Sequence, residues 1–238
     1  MRYIEKENLS DYAFLNLDTL TLPLKGICVC FHGYTDATTY DKSPRIAELL
    51  GKMGIAYVFP YYSVWAWMSK NSMEFNEQVL DAVYDTLGAD EDIPLIITGG
   101  SMGGLTALNY LVSGKRPAAA CALNCPVTDM HGFFEDVPTA RRAILSAHIE
   151  KQGELADVLK EYSPVHFAHR LPNIPYYLVY GEKDPYFTEN HMPPMLAKMD
   201  ACGLCYTALV QSGMGHCDLE SHPEAEKEYI RFIASALR

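Results

Sequence analysis

The residues that carry chemistry most plainly are Gly99-Gly100-Ser101-Met102-Gly103-Gly104. They contain Gly-x-Ser-x-Gly, placed directly after an apolar run, Leu95 to Thr98, and directly before a helical pattern, Met102 to Val112. A strand that turns sharply into a helix at this spacing lifts the serine hydroxyl off the sheet, and side chains two positions either side would collide. The helix then points its first N–H groups at the serine, where they favour a developing oxyanion. That is the arrangement for nucleophilic attack on a carbonyl carbon. The rival use of a glycine-rich turn is to cradle phosphate, but a P-loop ends in Gly-Lys-Ser/Thr, which this sequence lacks here.

A serine at neutral pH needs a base, and the base needs an orienting group. Two later apolar runs end in suitable residues. Tyr176 to Tyr180 leads into Gly181-Glu182-Lys183-Asp184-Pro185, and Tyr206 to Val210 leads towards Gly213-Met214-Gly215-His216-Cys217. Both lie where a parallel sheet presents its carboxyl edge, the edge that also holds Ser101. The order Ser101, Asp184, His216 resembles that of the α/β-hydrolase superfamily. Gly-x-x-Asp after the penultimate strand and Gly-x-Gly-His after the last resemble the branch of dienelactone hydrolases and prolyl oligopeptidases. Tyr162-Ser163-Pro164-Val165 before Pro172-Asn173-Ile174-Pro175 resembles it too. The resemblance runs from about Ile27 to Leu237. It implies Ser101 as nucleophile, His216 as base and Asp184 as the carboxylate behind it. Asp129, after the fourth strand, is the competing acid, and His222 is a weaker competitor for the base.

Phe31-His32-Gly33-Tyr34 closes the first strong strand, Ile27 to Phe31. A turn there leaves the Tyr34 N–H facing the serine, so that Tyr34 and Met102 form a two-donor oxyanion hole. His32 is expected to shape this loop rather than to move protons. Aromatic residues gather after the second strand and in a later segment. Tyr34, Tyr62, Trp65, Trp67, Phe133 and Phe134 are the expected substrate walls.

The positioning elements are β-rich runs separated by helical ones. The strands are expected at Ile27–Phe31, Ile55–Phe59, Leu95–Thr98, Ala118–Leu123, Tyr176–Tyr180 and Tyr206–Val210. Helices are expected at Pro44–Met53, Phe75–Leu87, Met102–Val112, Pro194–Ala201 and Pro223–Leu237. Continuous apolar strands imply an α/β fold: a mostly parallel, twisted sheet of about 7–8 strands with helices on both faces. Arg2 to Leu22 reads as one or two edge strands. Residues 127–165 exceed what a crossover needs and read as a small helical cap, with helical text at Thr139–His148 and Glu154–Tyr162. With 238 residues and no repeat or linker, a single domain, 1–238, is expected.

Composition narrows the function. Nineteen basic and thirty acidic residues give a net charge of −11, which disfavours nucleic acid and anionic membranes. No apolar run approaches the roughly 20 residues of a bilayer span. The first residues resemble no signal peptide, and the seven cysteines are odd in number, so a cytoplasmic protein with reduced thiols is expected. Cys202-Gly203-Leu204-Cys205 has redox or half-zinc spacing but no second pair, and it reads as reduced thiols in a turn. Cys28 and Cys30 share a strand face as core. Cys217, beside His216, offers sensitivity to thiol reagents. The histidines show no His-Glu-x-x-His spacing, so neither metal nor cofactor is expected. The expectation is a serine hydrolase of small carboxylic esters acting through an acyl-enzyme. A small peptidase or amidase is the alternative, because no segment is long enough for the propeller of the large oligopeptidases. Thioester hydrolysis, acyl transfer, or ligand binding without catalysis stand behind these. The partner is a small ester or amide, and a homo-oligomer is compatible with the sequence.

Overall fold

The computed structural model describes residues 3–186 and 191–237. Its sheet has seven strands: β1 (Ala13–Leu15), β2 (Gly26–Phe31), β3 (Ile55–Pro60), β4 (Leu95–Ser101), β5 (Ala120–Pro126), β6 (Tyr176–Gly181) and β7 (Tyr206–Gln211). Their spatial order is β1-β3-β2-β4-β5-β6-β7, with only β1 antiparallel. The helices are α1 (Arg45–Lys52), α2 (Lys70–Leu87), α3 (Met102–Ser113), α4 (Met130–Asp136), α5 (Arg141–Ala147), α6 (Leu155–Glu161), α7 (Pro164–Phe167), α8 (Met192–Ala201) and α9 (Pro223–Ser235).

The interior strands are apolar on both faces because helices cover both. All six residues of β3 are buried. In β2, alternation sends Cys28 and Cys30 to one face and Val29 and Phe31 to the other. Phe31 packs on Tyr110 of α3, with ring centroids 5.8 Å apart. On the opposite face Leu237, just past α9, approaches Gly26, and Tyr229 of α9 donates its hydroxyl to Ala122 O at 2.8 Å. Strand β7 is the far edge and is largely exposed.

The N-terminal segment supplies one short edge strand, β1, within the expected span, paired to β3 from Ala13↔Pro60 to Leu15↔Val58. Other boundaries differ from expectation. Helix α2 begins at Lys70 rather than Phe75, because Ser69 caps it by accepting the Ser72 N–H. Strands β4 and β5 each run three residues further, to Ser101 and Pro126, which carries their ends up to the site. The surplus at 127–165 folds as α4, α5 and α6 and reaches into α7.

The turn from β4 into α3 demands one close approach. A Cβ on Gly103 would overlap the Phe31 and His32 carbonyl oxygens of β2 and the loop after it. Gly103→Ala should therefore cost about 3 kcal/mol, the upper range for overpacking, and lower the melting temperature by roughly 5–10 °C. Thermal melts followed by circular dichroism check this, and an unchanged melting temperature contradicts it.

Candidate active site

Ser101 ends β4 with φ 54° and ψ −121°, a backbone conformation that L-residues rarely adopt. Such strain costs on the order of 1–3 kcal/mol and persists only where the surroundings enforce it. The clamp is visible: Val127 N–H donates to Ser101 O at 3.0 Å, and Gly33 lies against the Ser101 side chain. Met102 opens α3, so its N–H belongs to the first turn, which has no intrahelical acceptor.

The loop after β2 brings Tyr34 beside this turn. Its hydroxyl donates to Thr139 O of the cap segment at 3.3 Å. His32 is buried and braces the loop. Its Nδ1 lies 2.9 Å from Gly33 O and its Nε2 3.0 Å from Tyr62 O, and its ring stacks on Tyr62 with centroids 3.9 Å apart.

Asp184 and His216 come from loops that pack together. A Cβ on Gly181 would overlap Met214 O and Gly215 O, so glycine there lets the 213–216 loop lie against the end of β6. Lys183 N–H also donates to Met214 O at 2.9 Å. His216 Nδ1–H then donates to Asp184 Oδ2 at 2.7 Å. The Asp184 carboxylate is fully buried, and its Oδ1 accepts the Tyr186 N–H at 3.0 Å. Burial pushes the His216 imidazolium down, but the hydrogen bond it donates to Asp184 and the contact with Cys125 outweigh it and hold His216 up at about 9. A carboxylate on Nδ1 fixes the tautomer that leaves Nε2 to take a proton.

Asp129 is occupied elsewhere. It caps α4, accepting Gly132 N–H at 3.1 Å and the Ser163 hydroxyl at 3.2 Å. His222 stands at the N-terminus of α9. Of the two acids weighed from sequence, only Asp184 meets His216.

The aromatic residues need correction. Tyr62 is buried beneath His32 and donates its hydroxyl to His32 O at 2.7 Å, so it supports the loop. Trp65 is 61% exposed and lines a separate cleft of about 1170 Å³ with Tyr61, Lys70, Phe75 and His148. Phe134 sits under the Arg141 guanidinium. What remains is a continuous chain of rings. Tyr34 touches Trp67 at 5.3 Å, Trp67 touches Phe133 at 5.3 Å, Phe133 touches Tyr186 at 6.2 Å, and Tyr186 meets His216 edge-on at 4.9 Å. Tyr186 was not legible in advance; a lone tyrosine in a loop carries no periodic signal. This chain links the loop beside Ser101, the cap and the histidine; Trp67 and Phe133 are its buried middle, and Tyr34 and Tyr186 are its accessible ends.

A strained serine at a strand-to-helix turn, with an aspartate-held histidine at the same sheet edge, defines the α/β-hydrolase fold in its serine-hydrolase form. The prolyl oligopeptidase family profile matches residues 68–237, and the chain belongs to that family. No curated protein matches it in sequence. Among solved structures it is similar to a puromycin-hydrolyzing peptidase of Mycobacterium tuberculosis, at 19% identity and TM-score 0.73 over 94% of this chain and 37% of that one. It is similar to esterase B from Lactobacillus Rhamnosis, at 17% identity and TM-score 0.73 over 100% of this chain and 84% of the other. It is also similar to an S-formylglutathione hydrolase from Agrobacterium tumefaciens, at 13% identity and TM-score 0.70, covering 95% and 89%. The chain spans little more than a third of the length of the puromycin-hydrolyzing peptidase. Among the described residues no helix is long and apolar enough to cross a membrane.

If His216 acts as base, it must be neutral to do so, and its raised pKa sets the sign of the pH dependence. The rate, read as kcat/KM, should rise with pH on a limb centred above the ~6.5 of an ordinary imidazole. Asp184→Asn should cut turnover by roughly 10⁴-fold, the loss reported when a triad aspartate is so replaced. Asp129→Asn should spare turnover and lower stability through the lost cap. A limb at or below the ordinary value, or equal losses in the two variants, contradicts this assignment.

Proposed function

We propose that the chain hydrolyses small carboxylic esters, with Ser101 as nucleophile, His216 as general base and Asp184 as its orienting carboxylate. The observation that carries this reading is the 2.7 Å bond from His216 to a fully buried Asp184, at the sheet edge where Ser101 is held in strained geometry. Ser101 Oγ attacks the carbonyl carbon as Nε2 of His216 takes its proton. The oxyanion falls to the N–H groups of Met102 and Tyr34. His216 then gives the proton to the leaving alcohol, and water, deprotonated by the same nitrogen, releases the acid.

Tyr34 and Tyr186, the accessible ends of the aromatic chain beside His216, support an apolar acyl or alcohol group rather than a charged one. Likeness to esterase B, which aligns along most of its own length, also favours esters. A peptidase or amidase reading stands second, favoured by the family match and by the puromycin-hydrolyzing relative. Both reactions use the same three side chains and differ in the leaving group. The expected partner is a small ester or amide, and a reduced intracellular setting suits seven unpaired thiols.

A panel of p-nitrophenyl esters of graded chain length, run beside aminoacyl p-nitroanilides, separates the readings. Esters of short to medium acids should be turned over well above the anilides. Ser101→Ala should lower turnover by roughly a million-fold, as loss of the nucleophile does in other triads. Faster cleavage of the anilides would shift the proposal to a peptidase.

A further inference from the structure

Two cysteines that the hydrolytic chemistry does not use converge on His216. Cys125 Sγ accepts the Cys217 N–H at 3.3 Å, although the two residues are 92 positions apart. Cys217 Sγ lies 3.8 Å from His216 Nε2. The two sulfurs and one ring nitrogen of this trio all fall within 4.8 Å of one another. Both cysteines hold positive φ, 46° at Cys125 and 55° at Cys217. Room for the second sulfur comes from Gly100, where a Cβ would stand 3.2 Å from Cys217 Sγ.

We infer that Cys125, Cys217 and His216 form a binding site for a thiophilic divalent cation of the zinc class, and that its occupancy shuts off hydrolysis. Tetrahedral zinc with bonds of about 2.3 Å to sulfur and 2.0–2.1 Å to nitrogen places its ligand atoms about 3.5–3.8 Å apart, so the trio needs only small side-chain movements to close. The second requirement of a zinc histidine is a carboxylate on its other nitrogen, which fixes the tautomer and raises its basicity. Asp184 already supplies it at 2.7 Å. The pair that prepares Nε2 to accept a proton therefore prepares the same lone pair for a metal, and Nε2 serves one partner at a time. Three protein ligands leave a fourth position for water. Binding displaces thiol protons, exchanges no electrons and is reversed by a chelator.

The inhibitory consequence rests on the proposed hydrolase reading, but the metal site does not, so cadmium uptake tests it separately. A Cys202→Ser/Cys205→Ser background removes the exposed pair in the turn before β7. In a non-thiol reductant, that protein should take up one Cd²⁺ with a near-ultraviolet sulfur-to-metal charge-transfer band. Adding Cys125→Ser or Cys217→Ser should weaken uptake by at least about tenfold, in the range expected for perturbed zinc sites. Zn²⁺ should inhibit ester hydrolysis by the background protein, reversibly with EDTA. Both added variants should resist zinc, and Cys217→Ser should also keep its uninhibited turnover. Either variant alone suffices if the other fails to fold, as judged by its circular dichroism melt. Absence of the band in the background protein, or undiminished band and zinc inhibition in a folded variant, would overturn the inference.

Discussion

The site depends on one packing constraint: the first turn of α3 must lie flat against the end of β2. Only a residue without a side chain at Gly103 permits that contact with Phe31 and His32. The contact presses β4 into an abrupt turn and holds Ser101 at φ 54°. It also fixes the distance between the two backbone segments that carry the Met102 and Tyr34 N–H groups. The nucleophile and the loop opposite it are thus products of one sheet-to-helix approach.

Strain is not confined to the serine. Among the described residues, the non-glycine positions with positive φ are Thr35, Trp67, Met68, Ser101, Cys125 and Cys217. They follow or end β2, β3, β4, β5 and β7, all at the carboxyl edge of the sheet. Each such residue costs about 1–3 kcal/mol unless its surroundings enforce it. The enforcement is the apolar core beneath, with β2 through β6 almost wholly buried. A stable parallel sheet underwrites the strained loops, and they present Ser101, His216 and the aromatic chain at one edge. The same loops bring two thiols against the histidine, so the proposed catalysis and the inferred metal site draw on one nitrogen.

Much of this was legible in the sequence because it is local. Buried parallel strands appear as unbroken β-rich runs, and six were placed within about three residues at either end. Gly-x-Ser-x-Gly, Gly-x-x-Asp and Gly-x-Gly-His announce turns, and the residues of those turns meet at one edge because parallel strands share a direction. An edge strand was expected in the N-terminal segment, and pairing with β3 sets its three-residue extent. What escaped was non-local. Trp65 and Trp67 are two positions apart, yet one is 61% exposed and the other fully buried, since the loop between them reverses. Cys125 falls past the expected end of the fourth strand at Leu123, and its meeting with Cys217 depends on the order of β5, β6 and β7 across the sheet.

The central claim is that Ser101 is a nucleophile made reactive by His216. Labelling with a fluorophosphonate probe, with the adduct mapped by peptide mass spectrometry, tests it most directly. The wild-type protein should label at Ser101, and His216→Ala should label far more slowly at the same residue. A folded protein that takes no label, or that labels at another serine, would contradict the account.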